Sequence, residues 1–345
     1  MSSPVKARVV VADDSALMRS IVTSALTSAG VEVVGSARNG DEALALCERE
    51  RPDAMTLDLA MPGLDGLGVL RALKARPGRS LPVVVVSAFS PAQGARAVDA
   101  LAEGAFDLVS KPAVGEGLQS FKDSLSTKVM AAVLSRKQRQ PASNGSRLNP
   151  RQAPSRSRVA KAVLIATSTG GPRALATLVP KLPSPLGMGT MIVQHMPPGF
   201  TGSLAARLDQ SSALNVREAV GGEVLDARTA LLAPGGKHLR IGDSGRTELS
   251  DEAAVGGLRP RADLLIEDAA RAYRDRLLLV VLTGMGNDGL RGAREVRRLG
   301  GRIVVESEES CTVYGMPRAI VDGGLADDVL ALERLPAVIA EEAGR

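Results

Sequence analysis

Val163-Leu164-Ile165-Ala166-Thr167-Ser168-Thr169-Gly170-Gly171-Pro172 decides how the chain is read. Its first half is a short apolar run of the kind that forms a buried strand. Its second half is small and glycine-rich, and it precedes apolar residues at helical spacing, Ala174, Leu175, Leu178 and Val179. Pro172 suits the first turn of that helix, where a backbone N–H is not needed. Ser168 is therefore expected on a sharp strand-to-helix turn, with its hydroxyl above the strand end and beside the free N–H groups of a helix start. A serine in such a turn can act as a nucleophile, cap the helix or cradle a phosphate. The other strand ends have to decide between these.

The 345 residues suggest two domains, and 44% hydrophobic with 23% charged residues is ordinary for globular chains. Trp is absent and aromatics are 2%, so Val, Leu, Ile and Ala must supply the packing. No apolar run approaches the length of a membrane helix, and Met1 to Arg8 lacks the apolar core of a signal peptide, so no membrane insertion is expected. Cys47 and Cys311 lie too far apart for a metal cluster, and a cytoplasmic location is expected. The net charge of +5 is concentrated in residues 126–158, which carry eight Lys or Arg and no Asp or Glu. This segment has neither interleaved aromatics nor a helix-turn-helix pattern, which argues against nucleic acid as a partner. It reads as a basic, flexible linker between domains at 1–125 and 159–345.

Residues 7–134 alternate strands and helices. Strands are expected at 8–12, 31–34, 53–57, 82–86 and 106–109, with helices at 17–26, 41–50, 65–75, 92–103 and 116–134. Five such units predict an α/β, doubly wound, flavodoxin-like sheet whose ligands bind beyond the strand C-termini. Asp13, Asp14, Asp58, Ser87 and Lys111 all fall at those ends. Three carboxylates at one sheet edge repel one another unless a cation joins them, and hard oxygen ligands suit Mg2+. A lysine and a hydroxyl beside them can hold phosphoryl oxygens, which leaves Asp58 as a carboxylate nucleophile toward phosphate.

From Lys161 a second α/β pattern begins, with a mostly parallel sheet. Residues 222–251, with glycines at 235, 236, 242 and 245, read as short antiparallel strands and a β-hairpin insertion, and a terminal helix is expected near 329–342. Ser168, His195 and Asp288 each follow a strand and so share one rim. A serine needs a base, and the base needs an orienting acid. The chain has two histidines; His238 falls in a probable-hairpin sequence and reads as structural, so His195 is the better base. Asp288 could instead cap the helix after it. The Ser168 turn resembles the nucleophile elbow G-x-S-x-G, with Ala166 in the first glycine's place. The backbone N–H groups of Thr169 and Met285 are candidates for the oxyanion site. The triad reports acyl transfer without naming the acyl group. A hydrolase of another ester or amide, and a phospho-switch adaptor with an inactive esterase-like domain, stay open on the residues alone.

Two resemblances narrow this. Asp13-Asp14, Asp58 before Met61-Pro62, Asp65-Gly66, Ser87 and Lys111-Pro112 resemble the response-regulator receiver domain. That resemblance implies phosphorylation of Asp58 by a histidine kinase with Mg2+ held by Asp13, Asp14, Asp58 and the Ala60 carbonyl. It also implies phosphoryl contacts from Ser87 and Lys111, Phe106 as the switch aromatic, and a Lys111–Pro112 bond that is often cis. Thr167-Ser168-Thr169-Gly170-Gly171, Gln194-His195-Met196-Pro197, Pro234-Gly235-Gly236-Lys237-His238, Gly284-Met285-Gly286-Asn287-Asp288-Gly289 and Tyr314-Gly315-Met316-Pro317 resemble the chemotaxis response-regulator protein-glutamate methylesterases. The family order is receiver, linker, esterase. It implies Ser168, His195 and Asp288 as nucleophile, base and acid, with methyl-accepting chemotaxis receptors as substrate. It further implies methanol as product, activation by phosphorylation, deamidation of receptor glutamines in some members, and a monomer. One departure is Ala60, where methylesterase receivers often carry Glu beside the phosphate. Altered dephosphorylation is expected from it; an Ala60→Glu variant whose phosphorylated lifetime matches the wild type would contradict that.

Overall fold

The structure is a computed structural model and describes residues 6–76, 81–88, 90–112, 118–138 and 160–344. The chain divides into two compact units, Met1–Asn144 and Gly145–Arg345.

The first unit runs β1 (Arg8–Ala12), α1 (Ala16–Ser28), β2 (Glu32–Ala37), α2 (Gly40–Glu50), β3 (Ala54–Leu57), α3 (Gly66–Lys74), β4 (Val83–Ser87), α4 (Pro91–Glu103), β5 (Asp107–Ser110) and α5 (Leu118–Gln138). Its sheet is parallel with order β2-β1-β3-β4-β5. Direction reverses at β1, so right-handed crossovers put α1 on one face with α5, and α2, α3 and α4 on the other. The central strands are apolar runs because both faces are covered. Ser15, Asn39, Asp65 and Ser90 start four of the helices, each side chain accepting the N–H three residues on.

The linker reading needs correction at its start. Residues 126–138 continue α5, because Leu125, Val129, Ala132 and Val133 form a buried stripe at helical spacing. The rest of the linker, 139–158, lies outside the described residues. Lys111–Pro112 is not cis; the cis bonds among the described residues are Ser184–Pro185 and Arg259–Pro260.

The second unit begins with β6 (Ala162–Thr167), α6 (Gly171–Leu178), β7 (Gly189–Gln194), α7 (Phe200–Ser211), β8 (Asn215–Glu218) and β9 (Thr229–Leu232). It continues with β10 (His238–Ile241), β11 (Thr247–Ser250), α8 (Ala262–Tyr273), β12 (Leu277–Val281), α9 (Leu290–Arg298), β13 (Arg302–Glu306), α10 (Met316–Asp322), β14 (Asp328–Leu330) and α11 (Leu335–Ala343). Seven strands make one parallel sheet in the order β14-β13-β12-β6-β7-β9-β8. The β10–β11 hairpin stands apart as an antiparallel pair. The chain turns back at β6, so the switch point, where such sheets bind ligands, lies at the C-terminal ends of β6 and its neighbours β12 and β7.

Two expectations differ here. Within 222–251 only the hairpin is antiparallel; β9 joins the main sheet because Ala230, Leu231 and Leu232 are buried on both faces. Residues 329–342 are split, since Val329 and Leu330 extend the sheet edge through β14. The final helix waits for Pro336 in its first turn.

Helices α8 and α9 pack closely. A Cβ on Gly292 would lie 2.6 Å from the Ile266 Cβ. Gly292→Ala gains up to about 1 kcal/mol of helix propensity. It overpacks a contact between two short, stiff groups, which costs about 1–3 kcal/mol. The variant is expected to be the less stable protein, with its urea midpoint below the wild type.

Candidate functional site

In the first unit the strand ends converge as expected. Asp13, Asp14 and Asp58 each offer a carboxylate oxygen within 4.8 Å of the others'. Lys111 Nζ lies 2.8 Å from Asp13 Oδ2 and 3.0 Å from Asp58 Oδ2, bridging the two buried acids while Asp14 stays exposed. Burial pushes the Asp13 carboxyl up and the neighbouring Asp58 charge adds to that, against the opposing pull of Lys111. Lys111 is itself held above its ordinary range: burial lowers it, and the two carboxylates more than offset that. Ser87 is fully buried, and among the described residues its hydroxyl has no hydrogen-bond partner. Ala60 is exposed, and Phe106 is buried just before β5. The donor set of three close carboxylates, an orphan hydroxyl and a lysine fits a hard divalent cation and a phosphoryl group.

The second unit brings its motifs to one rim. β6 and β7 pair in parallel with Thr167 opposite Gln194, so Ser168 and His195 leave adjacent strands at the same level. The His195 N–H donates to Thr167 O at 3.2 Å. Gln194 ties the two together: its Nε2 donates at 3.0 Å to both Ser168 O and His195 O. Gly170, at φ +80°, forms the turn into α6, and a Cβ there would meet Thr312 at 2.4 Å.

Thr283, after β12, fixes the serine loop from the other side. Its carbonyl accepts the Ser168 N–H at 3.1 Å and the Thr167 hydroxyl at 2.8 Å. Its hydroxyl donates to Thr169 O at 2.9 Å and accepts the Val313 N–H at 2.9 Å. Its own N–H reaches the buried Glu306 carboxyl at 2.8 Å. Burial raises the Glu306 carboxyl above its ordinary range. The 314–317 motif packs beneath this loop, with Tyr314 bridged to Gly284 and the Met316 N–H on Gly284 O at 2.8 Å.

His195 Nε2 lies 2.7 Å from Asp288 Oδ2, and both side chains are buried, 7% and 2% exposed. Nδ1 is buried and has no hydrogen-bond partner among the described residues. The Ser168 hydroxyl makes no hydrogen bond to the ring; such contacts often tighten only when substrate binds. Among the described residues the Met285 N–H donates to no backbone carbonyl, and Thr169 is buried at the turn.

Asp288 is held by more than His195. Oδ2 accepts the Ala262 N–H at 2.7 Å, and Oδ1 accepts those of Asp263 and Gly289 at 2.9 Å. The acid thus sits at the start of α8, not of the helix it precedes. Asp263, in the first turn of α8, answers by accepting the Gly289 and Gly292 N–H groups at the start of α9, at 3.0 and 2.9 Å. Each aspartate caps the other's helix. Burial pushes the Asp288 carboxyl up, but the His195 hydrogen bond and charge and the two α8 amides outweigh it and hold it at about 2. A carboxylate lowered in this way stabilises the fold fully above its ordinary 3.8, and that contribution is lost as pH falls through about 2.

His238 is fully buried and saturated: Nδ1 accepts the Arg261 N–H at 3.1 Å and Nε2 lies 3.3 Å from Ala253 O. The Cys311 thiol is pushed up by burial and by Glu306, the reverse of an activated nucleophile. Sequence reading did not find Asp263, Arg261 or Glu306. Glu306 carried a signal, a carboxylate closing the apolar run 303–305. Asp263 resembled any acid in a helix's first turn. Asp263→Ala removes the acceptor of two buried N–H groups and is expected to cost about 1–3 kcal/mol; chemical denaturation checks this.

Residues 163–339 match the family model described as CheB methylesterase, and residues 9–121 match that of the response regulator receiver domain. A protein-glutamate methylesterase/protein-glutamine glutaminase of Symbiobacterium thermophilum is 40% identical, with 98% of this chain and 97% of that protein covered. One of Myxococcus xanthus is 41% identical, covering 96% and 97%. The crystal structure of the Thermotoga maritima CheB methylesterase catalytic domain aligns with a TM-score of 0.51 at 40% identity, over 53% of this chain and 98% of that one. With both the family model and full-length relatives in agreement, the chain belongs to the CheB methylesterase family and carries a response regulator receiver domain before its esterase domain.

Proposed function

We propose that the chain is a phosphorylation-activated protein-glutamate methylesterase that hydrolyses glutamyl γ-methyl esters on methyl-accepting chemotaxis receptors. The observation that carries this reading is the 2.7 Å bond between His195 and Asp288, beside the strand end that bears Ser168. With Nε2 committed to Asp288, Nδ1 takes the proton of Ser168 as its Oγ attacks the ester carbonyl. Asp288 stabilises the imidazolium that results. The Thr169 and Met285 N–H groups receive the developing oxyanion, and one such donor is typically worth ~3 kcal/mol. Nδ1 then returns the proton to the departing methoxide, releasing methanol. Water resolves the acyl-enzyme to glutamate by the same route. A glutamine side chain in the same position would release ammonia instead.

In the receiver, Asp58 is the phosphoacceptor, with a histidine kinase as donor. Asp13, Asp14, Asp58 and the Ala60 carbonyl would hold Mg2+, whose charge favours phosphoryl transfer at this acidic edge. Lys111 and Ser87 receive the phosphoryl oxygens, and Phe106 is the aromatic that responds. We place the protein in the cytoplasm, in keeping with its free cysteines, and propose that it acts as a monomer; no helix among the described residues is long and apolar enough to cross a membrane.

The test is methanol release from methylated receptor, with and without a small-molecule phosphodonor. Ser168→Ala should lower the rate by at least about a thousandfold, and Asp58→Asn should abolish the stimulation by phosphodonor while leaving the basal rate. Wild-type release by the Ser168→Ala variant would end the assignment.

A further inference from the structure

Arg261 is the residue before α8 and lies within the charge cluster behind His195. Its Nε is 2.8 Å from Asp288 Oδ1, and an Nη is 2.9 Å from Asp263 Oδ2. The side chain is largely buried, 16% exposed. The Nε–H is not aligned for a hydrogen bond to Asp288, so the contact acts through charge and not through a directed bond. A second Nη reaches Val255 O at 3.3 Å, and the Arg261 backbone N–H is anchored on His238. The guanidinium therefore bridges the acid that holds the imidazole and the acid that caps α9.

We propose that Arg261 is a positioning residue for the His195–Asp288 pair, a buried cation that fixes the Asp288 carboxylate and offsets its charge at the imidazole. Three charged groups gather on the Nε2 side of the ring: Asp288, Arg261 and Asp263. His238, on β10, meets this cluster only through the Arg261 backbone. Among the described residues His195 makes an ion pair with Asp288 alone. Removing the guanidinium leaves Asp288, which holds the ring, and Asp263 behind it without their shared counter-charge, and both negative charges favour the protonated imidazole. The base is then occupied by a proton over more of the working pH range. This inference rests on the triad reading for its effect on rate, but the state of the ring can be followed without catalysis.

The experiment uses the full chain with labelled histidine. Only two imidazoles are present, so the ring signals are assigned by a single His238 substitution. Arg261→Met should move the NMR titration of the His195 ring, and the acid limb of kcat/KM for methanol release, to higher pH by on the order of one unit. Arg261→Lys, which keeps the charge, should restore at least half of that shift. If Arg261→Met does not fold, Arg261→Gln gives the same reading. A folded neutral variant with both curves at their wild-type positions overturns the proposal, as does a lysine variant displaced as far as methionine, because a purely structural role would alter stability and leave the curves in place. If the wild type releases no methanol, the triad reading fails, and the ring titration still decides the role of Arg261.

Discussion

A carboxylate taken out of water must be met by donors, and in the esterase unit that requirement is satisfied by helix ends. Asp288 is almost fully buried, yet it stays ionised because the first amides of α8 point at it and His195 lies on its other edge. The α8 amides would otherwise be orphans of the helix start. One arrangement thus answers two costs, the desolvation of an acid and the unpaired N–H groups of a helix. Asp263 closes the exchange by doing the same for α9. The close packing of α8 on α9 sets the distance over which this exchange works, and so determines where the histidine can be held.

The Ser168 side follows a different logic. Ser168 is placed by backbone, through the paired ends of β6 and β7 and the carbonyl of Thr283. Its position is therefore a property of the parallel sheet. Gln194 and Thr283 convert sheet register into loop geometry. Glu306 supports Thr283 from beneath, as a carboxyl that burial drives toward the neutral form. The serine and the acid are held by separate sets of contacts, and the imidazole spans them.

Much of this was legible in the sequence because parallel sheets concentrate function at strand ends. Asp13, Asp58, Lys111, Ser168 and His195 each follow an apolar run, and that position alone suggested their company. The receiver's order of elements and the central strands of the esterase followed from alternation and length. What stayed hidden depended on partners distant in sequence. Nothing local to Asp263 says that it caps α9, and nothing local to Asp288 says that it answers α8. The helix was legible to residue 134 from its apolar spacing, and only its last turn, Ser135 to Gln138, was hidden, because its polar and basic residues look like linker. The edge strand β14 was absorbed into a helix because a three-residue strand has too few positions to show a period.

The β10–β11 hairpin lies outside the main sheet, yet its His238 ring receives the Arg261 backbone at the threshold of α8. The ribbon is tied to α8 as well: Leu239 belongs to the buried core, and the Arg240 guanidinium donates to both Asp268 carboxylate oxygens, at 2.6 and 3.1 Å. The start of α8, where Asp288 finds its amide donors, is thus braced from the hairpin as well as from the sheet. A substitution that loosened the ribbon would therefore reach the imidazole at one remove, through the helix start and the acid that it holds.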